Sequence, residues 1–136
     1  MSYELTRQVI EAQFQATFTV AHIAWDGQPN QIDNSTPYVA LFIEYLTNNR
    51  TSVGEKQTRI IGVLTIQCFA PMDTESGSDF IGKAGSLRLA DAAEAAIRGQ
   101  DFGGVVIEDS DLTRVGVGDA FYQFNVAIRF HRDVSN

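Results

Sequence analysis

The sequence contains one cysteine, no long apolar run and few basic residues, and each of these shortages excludes a class of protein. The lone Cys68 cannot form an internal disulfide, which fits a reducing compartment, and its apolar strand context predicts a buried, unreactive thiol. No apolar run approaches the roughly 20 residues that span a bilayer. The N-terminus carries Glu4 and Arg7 where a signal peptide would be apolar. We therefore expect neither a membrane segment nor a secretory leader.

The charge balance is acidic. The chain has ten Lys and Arg residues against 17 Asp and Glu, a formal net charge of -7. Proteins that hold nucleic acid tightly concentrate Lys and Arg on one face, whereas the basic residues here are spread along the chain. The acidic residues gather in two groups: Asp73, Glu75 and Asp79, and Asp101, Glu108, Asp109, Asp111 and Asp119. These groups are either solvated loops or a surface that repels phosphate or meets a basic partner.

The candidate catalytic and ligand-binding motifs are all incomplete. His22 and His131 are far apart in sequence and could act together only if the fold joined them. Residues 82–85 (GKAG) lack the spacing of a phosphate-binding loop, and residues 116–118 (GVG) precede a predicted strand rather than a helix. Residues 109–111 (DSD) could contact a divalent cation but lack the Gly and the distal Glu of a calcium loop. We expect no enzyme, no catalytic residues and no cofactor.

Residues 37–71 predict one long β-hairpin. Its arms, PYVALFIEYLT and QTRIIGVLTIQCFAP, are apolar on both faces, which predicts cover on two sides, by helices or by a neighbouring subunit. Gly62 marks a bulge or a site of close approach. The arms flank the polar loop 48–56, which is either a plain solvated loop or one that orders on assembly. The candidate assembly residues in this loop are Asn49, Arg50, Ser52 and Glu55.

Two helices are predicted, one before the hairpin in the sequence and one after it. Residues 3–16 carry two neighbouring apolar stripes at helical spacing: Leu5, Val9, Ala12 and Ala16 in one, and Tyr3, Ile10 and Phe14 in the other. The second helix is predicted either to be capped by Ser78 or Asp79 or to begin near Ser86, because Gly82 and Gly85 weaken the first turns, and to end at Gly99. Its predicted inward stripe consists of Phe80, Ala84, Leu87, Ala90, Ala93 and Ile97.

The remaining patterns predict strands. Residues 105–108 and 112–117 predict two short strands, and residues 120–131 alternate between one buried and one mainly polar face. We expect a single α+β domain over residues 1–136, with a mainly antiparallel sheet and two helices packed on one face. Trp25 and Tyr38 flank a polar turn region, where they either anchor the loop to the core or contact another subunit.

The order of these elements resembles the tail terminator (tail completion) proteins of long-tailed bacteriophages. A tryptophan-containing turn precedes a strand start with Pro and Tyr. A strand with a Gly then runs into a Pro-bounded, Gly/Ser-rich turn, and a helix and an aromatic strand follow. The segments that carry the resemblance are VAHIAWDGQPN, TPYVALFIEYL, RIIGVLTIQCFAPMDTESG, LADAAEAAI and FYQFNVAIRFHRD. Gly27 stands where the family more often has Asn, and a Gly serves the same turn.

The resemblance implies a hexameric ring in the virion, at the head-proximal end of the tail, assembled in the host cytoplasm. Its expected partners are other copies of the chain, the tail tube protein and a head-completion or connector protein, with DNA passing through unbound. The acidic candidates for the channel lining are Asp73, Glu75, Asp109 and Asp111. The alternatives are another head–tail joining or tail-tube component, or a small ligand-binding or enzymatic domain.

Overall fold

A computed structural model describes residues 3–26, 36–50, 57–72, 80–98, 102–118 and 120–135, with backbone only at 47–50, 57, 58, 134 and 135. The elements in chain order are α1 (Tyr3–Thr17), β1 (His22–Trp25), β2 (Tyr38–Arg50), β3 (Gln57–Pro71), α2 (Gly82–Ile97), β4 (Val105–Gly118) and β5 (Phe121–Ser135). The strands form one sheet in the order β1-β2-β3-β5-β4. β1 runs parallel to β2 and every other pair is antiparallel. The predicted α+β class is confirmed.

The predicted hairpin is formed by β2 and β3, paired from Tyr38 opposite Phe69 to Arg50 opposite Thr58. The loop prediction was wrong for residues 48–50, because strand pairing uses backbone groups and continues through these polar residues to the end of β2. Asn49 and Arg50 are therefore strand residues, with Asn49 opposite Arg59. Ser52 and Glu55 lie outside the described residues.

Gly62 is a site of close approach, as predicted. The register of β2 shifts between Tyr45 and Thr47, directly opposite Gly62 and its neighbour. A Cβ atom at Gly62 would lie 2.6 Å from Phe130 Cζ and 2.8 Å from the Glu44 carbonyl oxygen. Only glycine leaves room there for both the bulged strand and the Phe130 ring.

Helix α1 has nearly the predicted bounds but packs along one narrow line. Thr6, Ile10 and Phe14 are buried, which confirms the stripe that contains Ile10 and Phe14. The other predicted stripe was wrong for Leu5, which is 50% exposed, and for the exposed Ala12 and Ala16, whereas Val9 is half-buried against the core. The Tyr45 hydroxyl donates to the Tyr3 carbonyl oxygen at 2.8 Å and holds the start of α1 against β2. Because this bond fixes the start of α1 against β2, it favours the rotation of the helix that buries Thr6, Ile10 and Phe14.

Helix α2 begins at Gly82, between the two predicted starts, and packs on β3 and β5. The Ser86 hydroxyl is buried and donates to the Cys68 carbonyl oxygen at 2.8 Å. The same hydroxyl accepts from the Phe124 N–H at 3.0 Å. These bonds turn Ser86 toward the sheet, so the inward stripe was wrong for Ala84, which is exposed. The predicted caps of this helix, Ser78 or Asp79 at its start and Gly99 at its end, lie outside the described residues.

The two short strands predicted over 105–117 are one strand, β4. Its register against β5 shifts between Ile107 and Ser110 and again between Arg114 and Gly116. Each shift inserts extra residues, and Gly116 has a φ of 102° at the second one. A bulge interrupts the alternation of side chains with a period of two, although the strand itself continues. The sequence pattern therefore predicts two strands where the structure has one.

The core lies between the sheet and the helices. Its largest fully buried side chains include Phe14, Phe130, Leu64, Ile66 and Leu89. Cys68 is fully buried among them, as predicted, and burial raises the pKa of its thiol to about 12. Within the described residues, neither helix is long and apolar enough to cross a bilayer.

Candidate assembly surface

One side of the sheet is packed by the helices, and we call the opposite side the open face. Strand alternation and register assign these residues to it: Tyr38, Ala40, Phe42 and Glu44 on β2; Arg59, Ile61, Val63, Thr65, Gln67 and Phe69 on β3; and Phe121, Gln123, Asn125, Ala127, Arg129, His131 and Asp133 on β5. Neither described helix packs there. Among the described residues, the large apolar side chains on this face are half-buried by their neighbours in the sheet. The hairpin was predicted to be covered on both sides, and one side is open in the described chain.

Three aromatic rings occupy one end of the open face. Tyr38 stacks on Phe69 with ring centroids 4.5 Å apart, and Phe121 meets Tyr38 edge-on at 5.3 Å. Burial raises the pKa of the Tyr38 hydroxyl. Trp25 lies instead on the helix side, half-buried against the core, where it anchors the end of β1. The two aromatic residues that flank the turn therefore serve different surfaces.

The middle of the open face is polar. Gln67 of β3 lies opposite Asn125 of β5, and Asn125 lies opposite Thr113 of β4. The Gln123 side-chain amide donates to the Asn125 Oδ1 at 2.8 Å. Amide and hydroxyl groups hydrogen-bond to a partner or to water without a net charge. This band separates the aromatic end from a charged end.

A β4 bulge builds the charged end around Arg129. Glu108 and Asp109 occupy the first register shift, which lies opposite Arg129 of β5. The Arg129 Nη1 lies 2.9 Å from the Asp109 Oδ2 and 3.4 Å from the Asp111 Oδ2. The hydrogen bond to Asp109 raises the pKa of Arg129. Two carboxylates thus share one guanidinium, and their pairing with Arg129 opposes the reading of residues 109–111 as a cation site.

Two more pairs lie beside Arg129. His131 Nδ1 is 3.0 Å from Glu108 Oε2. Arg59 donates to both carboxylate oxygens of Asp133, at 2.9 and 3.2 Å, and this bonding lowers the pKa of Asp133. Exposed pairs of this kind contribute little to stability, because water and salt screen the attraction. These two ion pairs therefore matter for the pattern of charge on the open face rather than for the stability of the fold.

The open face is acidic in sum. Its described carboxylates are those of Glu44, Glu108, Asp109, Asp111 and Asp133, against the guanidinium groups of Arg59 and Arg129. Of the candidate channel acids, Asp109 and Asp111 belong to this face, both well exposed. Asp73 and Glu75 lie outside the described residues.

The histidines are not brought together. His22 is on β1 and His131 on β5, three positions away in the sheet order. No group of three or more His, Cys, Asp or Glu residues suited to a metal ion occurs among the described residues. A joint acid–base or metal role for the two histidines is therefore excluded by the topology.

The aromatic and ionic contacts of the open face were missed in the sequence. Tyr38, Phe69 and Phe121 come from three strands, and Arg129 meets Asp109 across 20 positions. The alternation of β5 did place Phe121 and Arg129 on one side. What was missing was the register, which alone shows which residues of β3 and β4 lie beside them.

A small cavity lies between α1 and β2. It has a volume of about 90 Å³ and is lined by Arg7, Glu11, Asp26, Leu41, Ile43 and Tyr45. Arg7 Nη1 donates to Glu11 Oε1 at 2.6 Å, and burial raises the pKa of Glu11. Ligand pockets usually measure about 300–1,000 Å³. The cavity is too small for an ordinary substrate.

Comparison with known proteins supports the fold alone. No family model and no curated protein matches the chain. Twenty-two chains of solved structures match it in shape. One of them, whose name states no function, has a TM-score of 0.70 and 14% identity, covering 100% of this chain and 99% of its own. The described elements therefore form an arrangement that recurs in another protein of nearly the same extent.

Proposed function

We propose that this chain is a tail terminator protein of a long-tailed bacteriophage. Its copies form a hexameric ring that caps the tail tube, stops its growth and offers a docking surface to the head. The tail tube protein and a head-completion or connector protein are its partners at the head-proximal end of the virion tail, after assembly in the host cytoplasm. The role needs no catalytic residue and no cofactor.

The open face is the observation that carries this proposal. Side chains such as Phe42, Ile61 and Val63 are half-buried on a sheet side that the described helices leave uncovered. Large apolar side chains of this kind favour contact with another protein surface. A chain whose copies assemble into a ring on a tube requires such a surface. The resemblance in element order to tail terminator proteins indicates which assembly this is.

The acidic balance supports the same proposal. DNA is held by Lys and Arg through counterion release, so a conduit that DNA must leave quickly is best lined with acidic or neutral groups. We propose that acidic residues line the ring channel. Either Asp109 and Asp111 or the group with Asp73 and Glu75 supplies them.

Assembly state and tube length test the proposal together. We expect the purified protein to form rings of about six times the 15.0 kDa chain mass in native mass spectrometry, and sixfold rings in electron micrographs. Added to polymerising tail tube protein from the same genome, it should stop tubes at a fixed length. A strictly monomeric protein that leaves tube length unchanged would overturn the proposal. Rings found along the tube rather than at its end would indicate a tube component instead.

A further inference from the structure

The sheet divides the described charges unequally. The open face carries more carboxylates than guanidinium groups, as shown above. On the helix side the basic residues slightly outnumber the acidic ones: Arg7, Lys83, Arg88, Arg98, Arg114 and Arg132 against Glu4, Glu11, Asp26, Asp91 and Glu94. Among the described side chains, the molecule is therefore acidic on one side and weakly basic on the other.

Three of the four helix-side basic groups that no described carboxylate engages, Lys83, Arg88 and Arg114, lie near the start of α2, and the fourth, Arg132, donates to the Gly103 carbonyl oxygen and to Thr6 Oγ1. No contact described here joins Lys83, Arg88 or Arg114 to a carboxylate. The Arg88 guanidinium lies 5.0 Å from the Phe80 ring centroid, and Arg114 Nε donates to the Tyr122 hydroxyl at 2.8 Å. Lys83 and Arg88 are exposed on the first two turns of α2. Their charges are available to a partner that approaches from the helix side.

We infer that the open face binds the helix side of a second copy of this chain, with Lys83 and Arg88 of one copy against Asp109 and Asp111 of the next. This inference rests on the proposed ring and names the two surfaces that build it. Each copy then offers both surfaces, one on each side of its sheet. Contacts of this head-to-tail kind close into a ring when the rotation between neighbours allows it.

A face-to-face pair fits the same residues less well. A twofold contact between two open faces would bring two acidic surfaces together, and like charges across an interface oppose association. The head-to-tail arrangement instead brings opposite charges together and covers the half-buried apolar side chains.

The arrangement divides the two acidic groups of the sequence between different roles. Asp109 and Asp111 lie in the contact between subunits and meet basic side chains there. The channel lining proposed above then falls to Asp73 and Glu75.

Two charge-reversal variants test the inference. Lys83→Glu/Arg88→Glu makes the helix side acidic, and Asp109→Lys/Asp111→Lys makes the open face basic. Alone, each variant confronts like charges at every contact, so we expect the ring mass to disappear from native mass spectra. Mixed in equal amounts, the two variants can alternate. Every contact in the mixture then joins opposite charges, and rings with equal numbers of each variant should return.

Controls separate charge placement from folding and from net charge. Gln8→Glu/Gln15→Glu adds negative charge to the helix side on α1, a different helix from the one that carries Lys83 and Arg88, and should assemble as the wild type does. Circular dichroism confirms that each variant is folded, and recovery in the mixture shows the same. Normal rings from Lys83→Glu/Arg88→Glu, or folded variants that fail to assemble when mixed, would overturn the inference. Loss of rings in the open-face variant alone would indicate a face-to-face contact.

The same proteins distinguish this inference from the proposed function. Tube capping that persists in a ring-forming Lys83→Glu/Arg88→Glu variant would remove the inference and keep the function. Rings that obey the charge rules but leave tube length unchanged would remove the function and keep the inference. A wild type that never forms rings would remove both.

Discussion

At Gly62, in the middle of β3, the space is already filled by Phe130 and by the backbone of Glu44. Gly62→Ala forces a methyl group into this space, and overpacking of a core costs about 1–3 kcal/mol. We expect a loss of that size in the free energy of unfolding measured by urea denaturation. Gly118→Ala is the matched control, because a Cβ there has no atom within 4 Å. Equal losses in the two variants would contradict the packing argument.

Cys68 gives a pH-dependent prediction. The ordinary pKa of its thiol is 9.0, and burial raises it to about 12, because the apolar core disfavours the thiolate. The unfolded thiol ionises first as the pH rises, so the contribution of Cys68 to stability is complete below pH 9.0 and is lost on the way to about pH 12. We expect the unfolding free energy of the wild type to fall more steeply over this interval than that of Cys68→Ala.

The Cys68→Ala variant supplies the reference for that comparison. It should cost about 1 kcal/mol at neutral pH, as small truncations in a core do. Ring assembly should be intact, because the side chain is fully buried on the helix side. Rapid alkylation of the native thiol at neutral pH, or parallel pH profiles for the two proteins, would refute the prediction.

Among the secondary-structure elements, α2 depends on one hydroxyl. Ser86→Ala removes both the bond to the Cys68 carbonyl and the bond from the Phe124 N–H. Leaving buried polar groups without this partner costs about 1–3 kcal/mol. We expect a loss of that size in thermal or urea unfolding, with Ala84→Ser as an exposed control on the same helix that changes stability little. A neutral Ser86→Ala would show that the hydroxyl does not position the helix.

The elements that were predicted correctly are those with a long and consistent apolar pattern. β5 alternates from Tyr122 to Phe130, and the hairpin arms are long apolar runs, so both follow from the sequence. The start of α2 does not, because its inward residues Gly85 and Ser86 are small or polar rather than apolar. The parallel pairing of β1 with β2 is not visible in the sequence either, since the four residues of β1 carry no information about direction.

The candidate surface was predictable only in part. Charge alone identifies the acidic residues Asp109 and Asp111, but the sequence pattern leaves them between two predicted short strands, because the bulges of β4 hide its alternation. Their partner Arg129 could not be found, since pairing across the sheet depends on register. A hydrophobic pattern shows which face of the strand a side chain occupies. The register, which decides the neighbours of that side chain on the next strand, is known only from the packed sheet.

On the scale of the whole molecule, the excess of acidic over basic residues predicts that the protein does not bind DNA. With 17 acidic and ten basic residues, we expect the ring to show no measurable binding to double-stranded DNA at physiological salt in fluorescence anisotropy. The control is a mixed ring of Asp109→Lys/Asp111→Lys and Lys83→Glu/Arg88→Glu subunits. It has the net charge of the wild-type ring but a different placement of the charges. Salt-sensitive binding by the native ring would contradict an acid-lined channel.

The position of β5 has a consequence for how the protein is made. Although β5 is the last described strand in the chain, it lies inside the sheet, between β3 and β4. A nascent chain that has emerged only through residue 118 leaves β4 without its neighbour and one edge of β3 unpaired. Protein synthesis must therefore proceed through β5 before the sheet can close, and the slow, non-local pairing that follows becomes the closing step of folding. A chain that is terminated before β5 lacks this interior strand and cannot present the continuous open face that the proposed assembly requires, so only subunits that contain β5 are competent to join.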